Sequence, residues 1–393
     1  MLPSYAVYLM ALAALARRSR QGASGAGSRP VQKIILFEPS VGPERVRSIV
    51  EECGGKLRKS LPIINGAACV FPEEATAMSL LSRAGEVAWV EDDFVIHIAG
   101  ACFFIPRPRP WPRKQTVPWG ITRVRAPEAW GSATGRGVRV AVLDTGIDMS
   151  HPDLKANIEG GFDCINETTD VVDDNGHGTH VAGTIAALDN DFGVVGVAPE
   201  ARLYAVKAFD SRGQGQVSDI VQGMEWCITN RVQVINMSFG TADSSRALTV
   251  AINKAAEAGI VMIAAAGNDG RRDGVLYPAR DPNVMAVTAS TRDDRIASFS
   301  NSGTQVAVAA PGEDVYSTYR DGGYKSLTGT SMACPHVAGV VALLLSASPG
   351  LTRDDVREVV CGTATKLPGF SLDQQGSGLV NAGAAISRVR RSA

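Results

Sequence analysis

Apolar runs alternate with helix-like stretches along the last two thirds of the chain. The strand-like runs are rich in Val, Ile and Ala and lie at 138–143, 201–207, 232–236, 260–265 and 284–288. Apolar positions at helical spacing extend over 177–187, 217–230 and 248–258. Strands that alternate with helices indicate a parallel sheet covered on both faces. The pattern therefore predicts a three-layer α/β domain with a mostly parallel sheet, in which sites form at the carboxyl ends of the strands.

A different pattern precedes this domain. Strand-like runs at 31–37, 67–71 and 87–98 alternate with helical stretches at 43–53 and 73–83. With one further strand before 67, the order is strand, helix, strand, strand, helix, strand. This order fits the split βαβ arrangement of ferredoxin-like folds. We expect residues 31–100 to form a small α+β domain of their own.

Residues 1–30 begin with an apolar stretch at 6–16, which is followed by the basic run Arg17-Arg18-Ser19-Arg20. The stretch is too short to span a bilayer as a helix and has the length of a signal-peptide core. Its positive charges follow it, whereas a secretory signal carries them in front. The segment is therefore a leader or atypical signal, or else results from a misplaced start codon. No later run is expected to span a membrane.

Proline alternates with basic residues from Ile105 to Lys114. Proline removes backbone donors and fixes an extended conformation, so this pattern predicts an exposed linker rather than a strand. Such a linker is accessible to proteases. We expect residues 101–114 to be a linker with a processing site, and residues 115–393 to be the main domain.

Composition excludes some classes of protein. The length of 393 residues suits two or three domains, and 45% hydrophobic with 20% charged residues is typical of a globular protein with a sizeable core. A formal net charge of −1 argues against nucleic acid as the main partner. The cysteines have neither zinc spacing nor a dense disulfide framework, so most are expected to be free buried thiols. They are Cys53, Cys69, Cys102, Cys164, Cys227, Cys334 and Cys361.

An Asp, a His and a Ser lie in glycine-rich segments at three predicted junctions. Asp144 directly follows a strand, His177 begins a helix after Gly176, and Ser331 begins another helix. A serine hydroxyl is a weak nucleophile at neutral pH unless an imidazole takes its proton and a carboxylate fixes the imidazole. These residues therefore predict a charge-assisted serine nucleophile. The Ser331 N–H and the side-chain amide of Asn268 are candidate donors to an oxyanion.

Five blocks together carry a family resemblance: DTGID at 144–148, GHGTHVAGT at 176–184, VINMSFG at 234–240, AAAGN at 264–268 and GTSMACPHVAG at 329–339. In this order they resemble the subtilisin-like serine proteases, most closely the bacterial subtilisin branch, from about residue 115 to 385. The kexin-like branch fits less well, because its His block usually has the sequence HGTRCAG. The resemblance implies a serine endopeptidase with Asp144, His177 and Ser331 as the triad and Asn268 as the oxyanion donor. Hydrolysis would proceed through an acyl-enzyme.

The resemblance also implies a substrate cleft between two strands. The P1 residue is the substrate residue whose carbonyl is attacked, and the strand beside it would contain Ser238, Phe239 and Gly240. The opposing strand would contain Gly213, Gln214 and Gly215. Ala265 and Gly267 are the other substrate-binding residues that the resemblance implies. An extended peptide between two strands is recognised through its main chain more than its side chains, which implies broad sequence tolerance.

Calcium is the cofactor that the resemblance implies. The side chains of Gln115, Asp153 and Asn190 match the ligands of the family's tight site, with the carbonyls of Leu188, Phe192 and Val194. Oxygen ligands of this kind suit Ca²⁺. A second, weaker cation loop would use the carbonyls of Ala279, Asp281 and Val284.

Residues 31–99 resemble the inhibitor-type propeptide of secreted subtilisins. The resemblance implies an autoprocessed zymogen, with the propeptide as its own chaperone and inhibitor, and a monomeric, extracellular enzyme that acts on proteins or peptides. With Gln115 near the mature start, we expect cleavage in the linker, at Arg113–Lys114. The linker is a departure from the usual prosegment end, which runs more directly into the catalytic domain, and it allows a second processing event.

Two other functions stay open. A non-catalytic peptide-binding module would keep the fold, but it would be favoured by a missing triad or oxyanion residue, and none is missing. A cytoplasmic processing protease would explain the cysteines and the atypical leader, although such relatives usually lack a full prodomain. Other polar residues are expected to be structural: His151, His180 and His336 in the main domain, His97 in the prodomain, Cys334 in the core, and Asp173 and Asp174 on a solvated rim.

Overall fold

The computed structural model describes residues 30–83, 85–99 and 114–391. They form two compact units, and the division lies between Phe94 and Val95. The predicted leader at 1–30 and linker at 101–114 fall outside the described residues, apart from Pro30 and Lys114.

The smaller unit contains a four-stranded antiparallel sheet with the order β2-β3-β1-β4. Its elements are β1 (Val31–Phe37), α1 (Pro43–Glu52), β2 (Lys56–Leu61), β3 (Gly66–Phe71), α2 (Glu74–Met78) and β4 (Val87–Asp92). Buried side chains of the sheet, among them Ile35 and Phe71, pack with Ile49 and Val50 of α1. This strand order is that of a ferredoxin-like fold, as the sequence predicts.

The predicted strand 87–98 is two strands. β4 ends at Asp92, and β5 (Val95–Ile98) pairs with strands of the larger unit. His97, which the sequence assigned to the prodomain, therefore belongs to the larger unit. Three acidic residues, Glu91-Asp92-Asp93, interrupt the run where it divides, but only the pairing shows that its two parts lie in different sheets.

The larger unit has three layers around a seven-stranded parallel sheet with the order β14-β13-β12-β10-β6-β8-β7. Its remaining strands are β6 (Arg139–Asp144), β7 (Ile158–Asp163), β8 (Arg202–Lys207), β9 (Gln214–Gln216), β10 (Val234–Met237), β11 (Phe239–Gly240), β12 (Val261–Ala265), β13 (Val284–Ser290), β14 (Val306–Pro311), β15 (Val315–Tyr319) and β16 (Gly323–Leu327). Its helices are α3 (Trp119–Arg123), α4 (His177–Ala186), α5 (Val217–Thr229), α6 (Arg246–Glu257), α7 (Thr330–Ala347), α8 (Arg353–Gly362), α9 (Leu372–Gln375) and α10 (Ala382–Arg391). The predicted α/β class with a parallel sheet is confirmed. The two edge strands, β7 and β14, were not predicted. β7 contains two glycines and β14 ends at a proline, and both residue types are unfavourable within strands.

Helix α7 lies in the main core and is apolar on all sides. It is the one helix among the described residues that is long and apolar enough to cross a membrane, and 89% of it is buried inside the protein. A helix that is hydrophobic all round suits the centre of a large core. The first turn of α7 carries Ser331 to the edge of the sheet.

Candidate active site

Three elements bring the predicted triad residues to the site. Asp144 is the last residue of β6, His177 is the first of α4, and Ser331 is the second of α7. His177 Nδ1 lies 2.7 Å from Asp144 Oδ1, and both side chains are buried. The second ring nitrogen, Nε2, has no hydrogen-bond partner among the described residues. The free nitrogen is the one that a base needs for accepting a proton.

Two opposing effects act on the pKa of His177. Burial lowers it, because a buried imidazolium loses its hydration. The Asp144 carboxylate raises it through its charge and its hydrogen bond, and the charge of Asp173 adds to this. The net result is a raised pKa, so the site stabilises the imidazolium form.

Asp173 holds the beginning of α4, which corrects the expectation of a solvated rim. Its carboxylate is buried and accepts hydrogen bonds from Thr145 Oγ1, from Gly176 N and from both the N–H and the hydroxyl of Thr179. The free N–H groups at a helix start attract an anion in this way. Only Asp174 fits the rim, with a half-exposed side chain. Two adjacent aspartates gave no sign in the sequence of which one faces inward.

The two strands predicted for substrate binding are occupied by the chain itself. β5 is the middle strand of an antiparallel sheet with the order β11-β5-β9. On one side, Phe239 and Gly240 pair with Ile98 and His97. On the other, Gly215 pairs with Ile96, and Gln214 also pairs with His97. The main-chain pairing continues beyond the strand, where Ile98 N donates to Gly213 O and Ala99 N donates to Ser238 O.

The Ala99 carbonyl lies against the predicted nucleophile. Ser331 Oγ is 2.5 Å from Ala99 O and 2.8 Å from Ser238 O, two acceptors between which its single proton is shared. Asn268 Nδ2 also donates to Ala99 O. One carbonyl oxygen therefore receives both Ser331 and Asn268, which are 63 positions apart in the sequence numbering.

Thr330 fixes the Asn268 amide, and the sequence analysis did not identify it. Its N–H and its hydroxyl donate to Asn268 Oδ1, at 2.8 and 2.9 Å. With both donors on the oxygen, the nitrogen of the amide faces Ala99. The only signal available in the sequence is that Thr330 directly precedes Ser331.

Ser238 and Ser331 are joined by a second contact, which depends on a proline. Pro335 has no N–H, so the carbonyl of Ser331, four residues earlier, lacks its helical partner. Ser238 Oγ donates to this carbonyl at 2.9 Å, and Asn236 Nδ2 donates to Ser238 Oγ at the same distance. The proline thus ties β10 and the strand after it to the first turn of α7.

Comparison with known proteins relates this site to one family. The Subtilase family profile matches residues 135–378. Subtilisin E of Bacillus subtilis is 42% identical over 389 residues, which cover 97% of each chain. The thermostable alkaline protease of Halalkalibacterium halodurans is 52% identical over 272 residues, 69% of this chain and 74% of the relative. Subtilisin Savinase of Lederbergia lenta is 50% identical over 272 residues, 69% of this chain and 99% of the relative.

The chain belongs to the Subtilase family. It is accordingly a serine endopeptidase, and the family and enzyme class predicted from the five sequence blocks are confirmed. Members of this family generally bind calcium and act on protein substrates.

The tight-site residues predicted for calcium lie together in this subtilase. Gln115 Nε2 donates to Leu188 O at 2.8 Å, and Asn190 Nδ2 donates to Asp153 Oδ1 at 2.9 Å. Asp153 is fully buried, also accepts from Val194 N at 2.8 Å, and has no ion-pair partner within 30–83, 85–99 and 114–391. Burial raises the pKa of Asp153 to about 6. A buried carboxylate without an ion-pair partner among the described residues, two side-chain amides and the Leu188 carbonyl thus lie together, and their oxygen atoms are of the kind that suits a hard cation.

No group of three or more His, Cys, Asp or Glu side chains converges on a metal position in the part of the subtilase that the structure describes. The predicted tight site does not require such a group, since Asp153 is its only carboxylate. The second predicted loop, at Ala279, Asp281 and Val284, differs. There the guanidinium of Arg357 donates to Val284 O at 2.6 Å, so a positive charge already meets one of the three carbonyls.

Three further histidines of the subtilase, His151, His180 and His336, are held in structural contacts. His180 Nε2 lies 2.9 Å from Val315 O, and burial lowers the pKa of His180 to about 3. His336 Nδ1 lies 2.9 Å from Met332 O, and burial lowers its pKa to about 4. His151 Nε2 lies 2.9 Å from Gly323 O. Among the described residues the cysteines are not joined by disulfides, and burial raises the pKa of Cys334.

Proposed function

We propose that this subtilase cleaves peptide bonds with Ser331 as nucleophile, His177 as general base, Asp144 as the group that orients the imidazole, and Asn268 as oxyanion donor. The observation that carries the proposal is the Ala99 carbonyl, which Ser331 Oγ approaches and to which the Asn268 amide donates. A scissile carbonyl needs the same two neighbours.

The steps follow from the roles. The Ser331 hydroxyl attacks the carbonyl carbon, and its proton passes to His177 Nε2. Asp144 stabilises the resulting imidazolium, while Asn268 donates to the oxyanion of the tetrahedral intermediate. His177 then protonates the leaving amine, which departs as the acyl-enzyme forms. Water then attacks the acyl carbon and gives a proton to His177. His177 passes this proton to Ser331 Oγ as the bond to the acyl group breaks and the acid is released.

The chain's own Ala99–Gly100 bond is the substrate that the cleft arrangement supports for self-processing. Val95–Ala99 forms main-chain hydrogen bonds to both substrate strands, as an extended peptide would. We place the first cleavage after Ala99, ahead of the Arg113–Lys114 position expected from the sequence. After this cleavage the linker remains at the new amino terminus, where a second cleavage can remove it. Residues 101–113 of the linker lie outside the described residues.

The zymogen proposal follows from the same contacts. As long as Val95–Ala99 occupies the cleft, no other peptide can pair with Gly213–Gly215 and Ser238–Gly240. The segment before it, residues 31–94, has its own core and ferredoxin-like sheet, consistent with the proposed chaperone and inhibitor. An extracellular location is part of the proposal, on the basis of the resemblance to secreted subtilisins.

The proposed calcium site uses Gln115, Asp153 and Asn190 with the carbonyls of Leu188 and its loop. Bound calcium would supply positive charge beside the buried Asp153 carboxylate and link the start of the catalytic domain to this loop. The backbone contributes to the same link, since Gln115 N donates to Asp191 O. The role is structural, and no step of catalysis passes through the ion.

The test compares the full chain with Ser331→Ala. We expect the wild-type chain to produce first a species that begins at Gly100 and then to hydrolyse casein. Ser331→Ala should stay full length and lose casein hydrolysis. Ser298→Ala, an exposed serine away from the cleft, is the control and should behave as wild type. Self-cleavage or casein hydrolysis that survives Ser331→Ala would contradict the catalytic assignment, and a first species beginning at Lys114 would contradict the Ala99–Gly100 assignment alone.

A further inference from the structure

Two glycines of the cleft face the same leucine. A methyl group built on Gly240 would lie 2.8 Å from Leu276 Cβ, and one built on Gly267 would lie 2.7 Å from Leu276 Cγ. Both distances are too short for a real side chain, so Leu276 fills the space between these two segments. Gly240 ends β11, and Gly267 directly precedes Asn268.

Backbone hydrogen bonds hold Leu276 in this position. Leu276 N donates to Ala266 O at 3.0 Å. The next residue, Tyr277, exchanges two hydrogen bonds of 2.9 Å with Thr241. The main chain at Leu276 is thus held on one side to the segment before Asn268 and on the other to the segment after Gly240, and it cannot move away without breaking one of these pairings.

The residue held between the same two segments is Ala99. Its N–H donates to Ser238 O, and its carbonyl receives the Asn268 amide. Its methyl group is buried, with 8% of the residue exposed. The segments that contact Ala99 are thus next to the glycines that face Leu276, and from this we infer that a longer side chain at position 99 would extend toward Leu276.

We propose that Leu276 is a specificity-determining residue that shortens the P1 pocket and restricts the enzyme to small P1 side chains such as alanine. This inference rests on the proposed function, in which Ser331 attacks the P1 carbonyl. Side chains that overfill a packed site are rejected because neighbours cannot move without strain. A size mismatch in a hydrophobic pocket discriminates by at least about tenfold in kcat/KM.

The first experiment measures kcat/KM on a peptide series that differs only at P1. We expect the mature wild-type enzyme to favour P1 alanine over P1 phenylalanine by at least about tenfold. Leu276→Ala should raise the phenylalanine-to-alanine ratio by at least about tenfold. Leu372→Ala, the same substitution at an exposed leucine outside the cleft, should leave the ratio unchanged. A wild-type preference for phenylalanine, or a ratio that Leu276→Ala does not move, would overturn the inference.

A second readout uses the precursor, and its first variant, Ala99→Phe alone, leaves Leu276 unchanged. Ala99→Phe in the otherwise native chain should slow self-cleavage at residue 99 by at least about tenfold, and adding Leu276→Gly should restore much of the rate. Unslowed cleavage of Ala99→Phe would overturn the inference. Both readouts compare side chains within an active protease, so they can overturn the role of Leu276 while the catalytic assignment stands. Failure of the proposed function would appear differently, as hydrolysis that survives Ser331→Ala.

Discussion

Thr330 donates two hydrogen bonds to Asn268 Oδ1, one from its N–H at 2.8 Å and one from its hydroxyl at 2.9 Å. An amide has an acceptor end and a donor end, so fixing the oxygen decides where the nitrogen lies. The nitrogen donates to the Ala99 carbonyl. In the proposed mechanism Thr330 therefore acts through Asn268 and does not itself contact the Ala99 carbonyl.

Removing either residue should lower kcat with little change in KM, because the oxyanion forms only after binding. In subtilisin itself, loss of an oxyanion amide donor costs roughly 10²–10³ in kcat, and we expect the same range for Asn268→Ala. Thr330→Val keeps one of two anchors, so we expect on the order of a tenfold loss. Steady-state kinetics on one peptide measure both. Thr330→Ser should restore the rate, and a Thr330→Val enzyme with native kcat would exclude the positioning role.

Asp173→Asn should move the acid limb of the pH profile to lower pH. The Asp173 charge helps to raise the pKa of His177, so its removal lowers that pKa. A base works only when neutral, and an imidazole with a lower pKa stays neutral in more acidic solution. The pH dependence of kcat/KM gives the shift. Asp174→Asn, one residue away and half exposed, is the matched control and should move the limb less; equal shifts in both variants would contradict the role of Asp173.

Calcium should stabilise the chain before it is cleaved. Gln115 and Thr116 are already bonded to Asp191 and Gly193, while Ala99 still occupies the cleft. The uncleaved Ser331→Ala chain should therefore gain about 2.7 kcal/mol in free energy of unfolding at a calcium concentration of about 100 Kd. Thermal unfolding with calcium and with chelator measures this gain.

Two aspartate variants, one at the proposed calcium site and one outside it, test the calcium prediction. Asp153→Asn should abolish the calcium-dependent rise in Tm, because it removes the buried charge of the proposed site. Asp189→Asn, an exposed carboxylate of the same loop, should keep the rise. A Ser331→Ala chain whose Tm is the same in calcium and in chelator would contradict the calcium site.

Ser238→Ala should destabilise the catalytic unit. It leaves the Ser331 carbonyl without a donor, and Pro335 cannot supply one. A buried acceptor without a partner costs about 1–3 kcal/mol. The urea midpoint of Ser238→Ala in the Ser331→Ala background, which prevents self-digestion, measures the loss. A midpoint equal to that of the background would show that this hydrogen bond contributes nothing.

The sequence by itself determined the class of fold, the family and the enzyme class. Val- and Ile-rich strands alternating with helices allow few arrangements other than a covered parallel sheet. Asp144, His177, Ser331 and Asn268 stand in blocks whose glycines and spacing carry strong local information. For the same reason, helix α4 and strand β6 have nearly the predicted bounds.

The tertiary structure decided which neighbours these residues have. Nothing local distinguishes Asp173, buried at the start of α4, from the exposed Asp174. The acidic residues at 91–93 interrupt the run 87–98, but nothing local shows that its two parts lie in different sheets, or that Leu276 fills the space beside Gly240 and Gly267. Hydrogen bonds and packing between distant segments are satisfied only once the chain is folded. The proposed triad could therefore be named from the sequence, while the peptide in the cleft and the inferred depth of the P1 pocket required the fold.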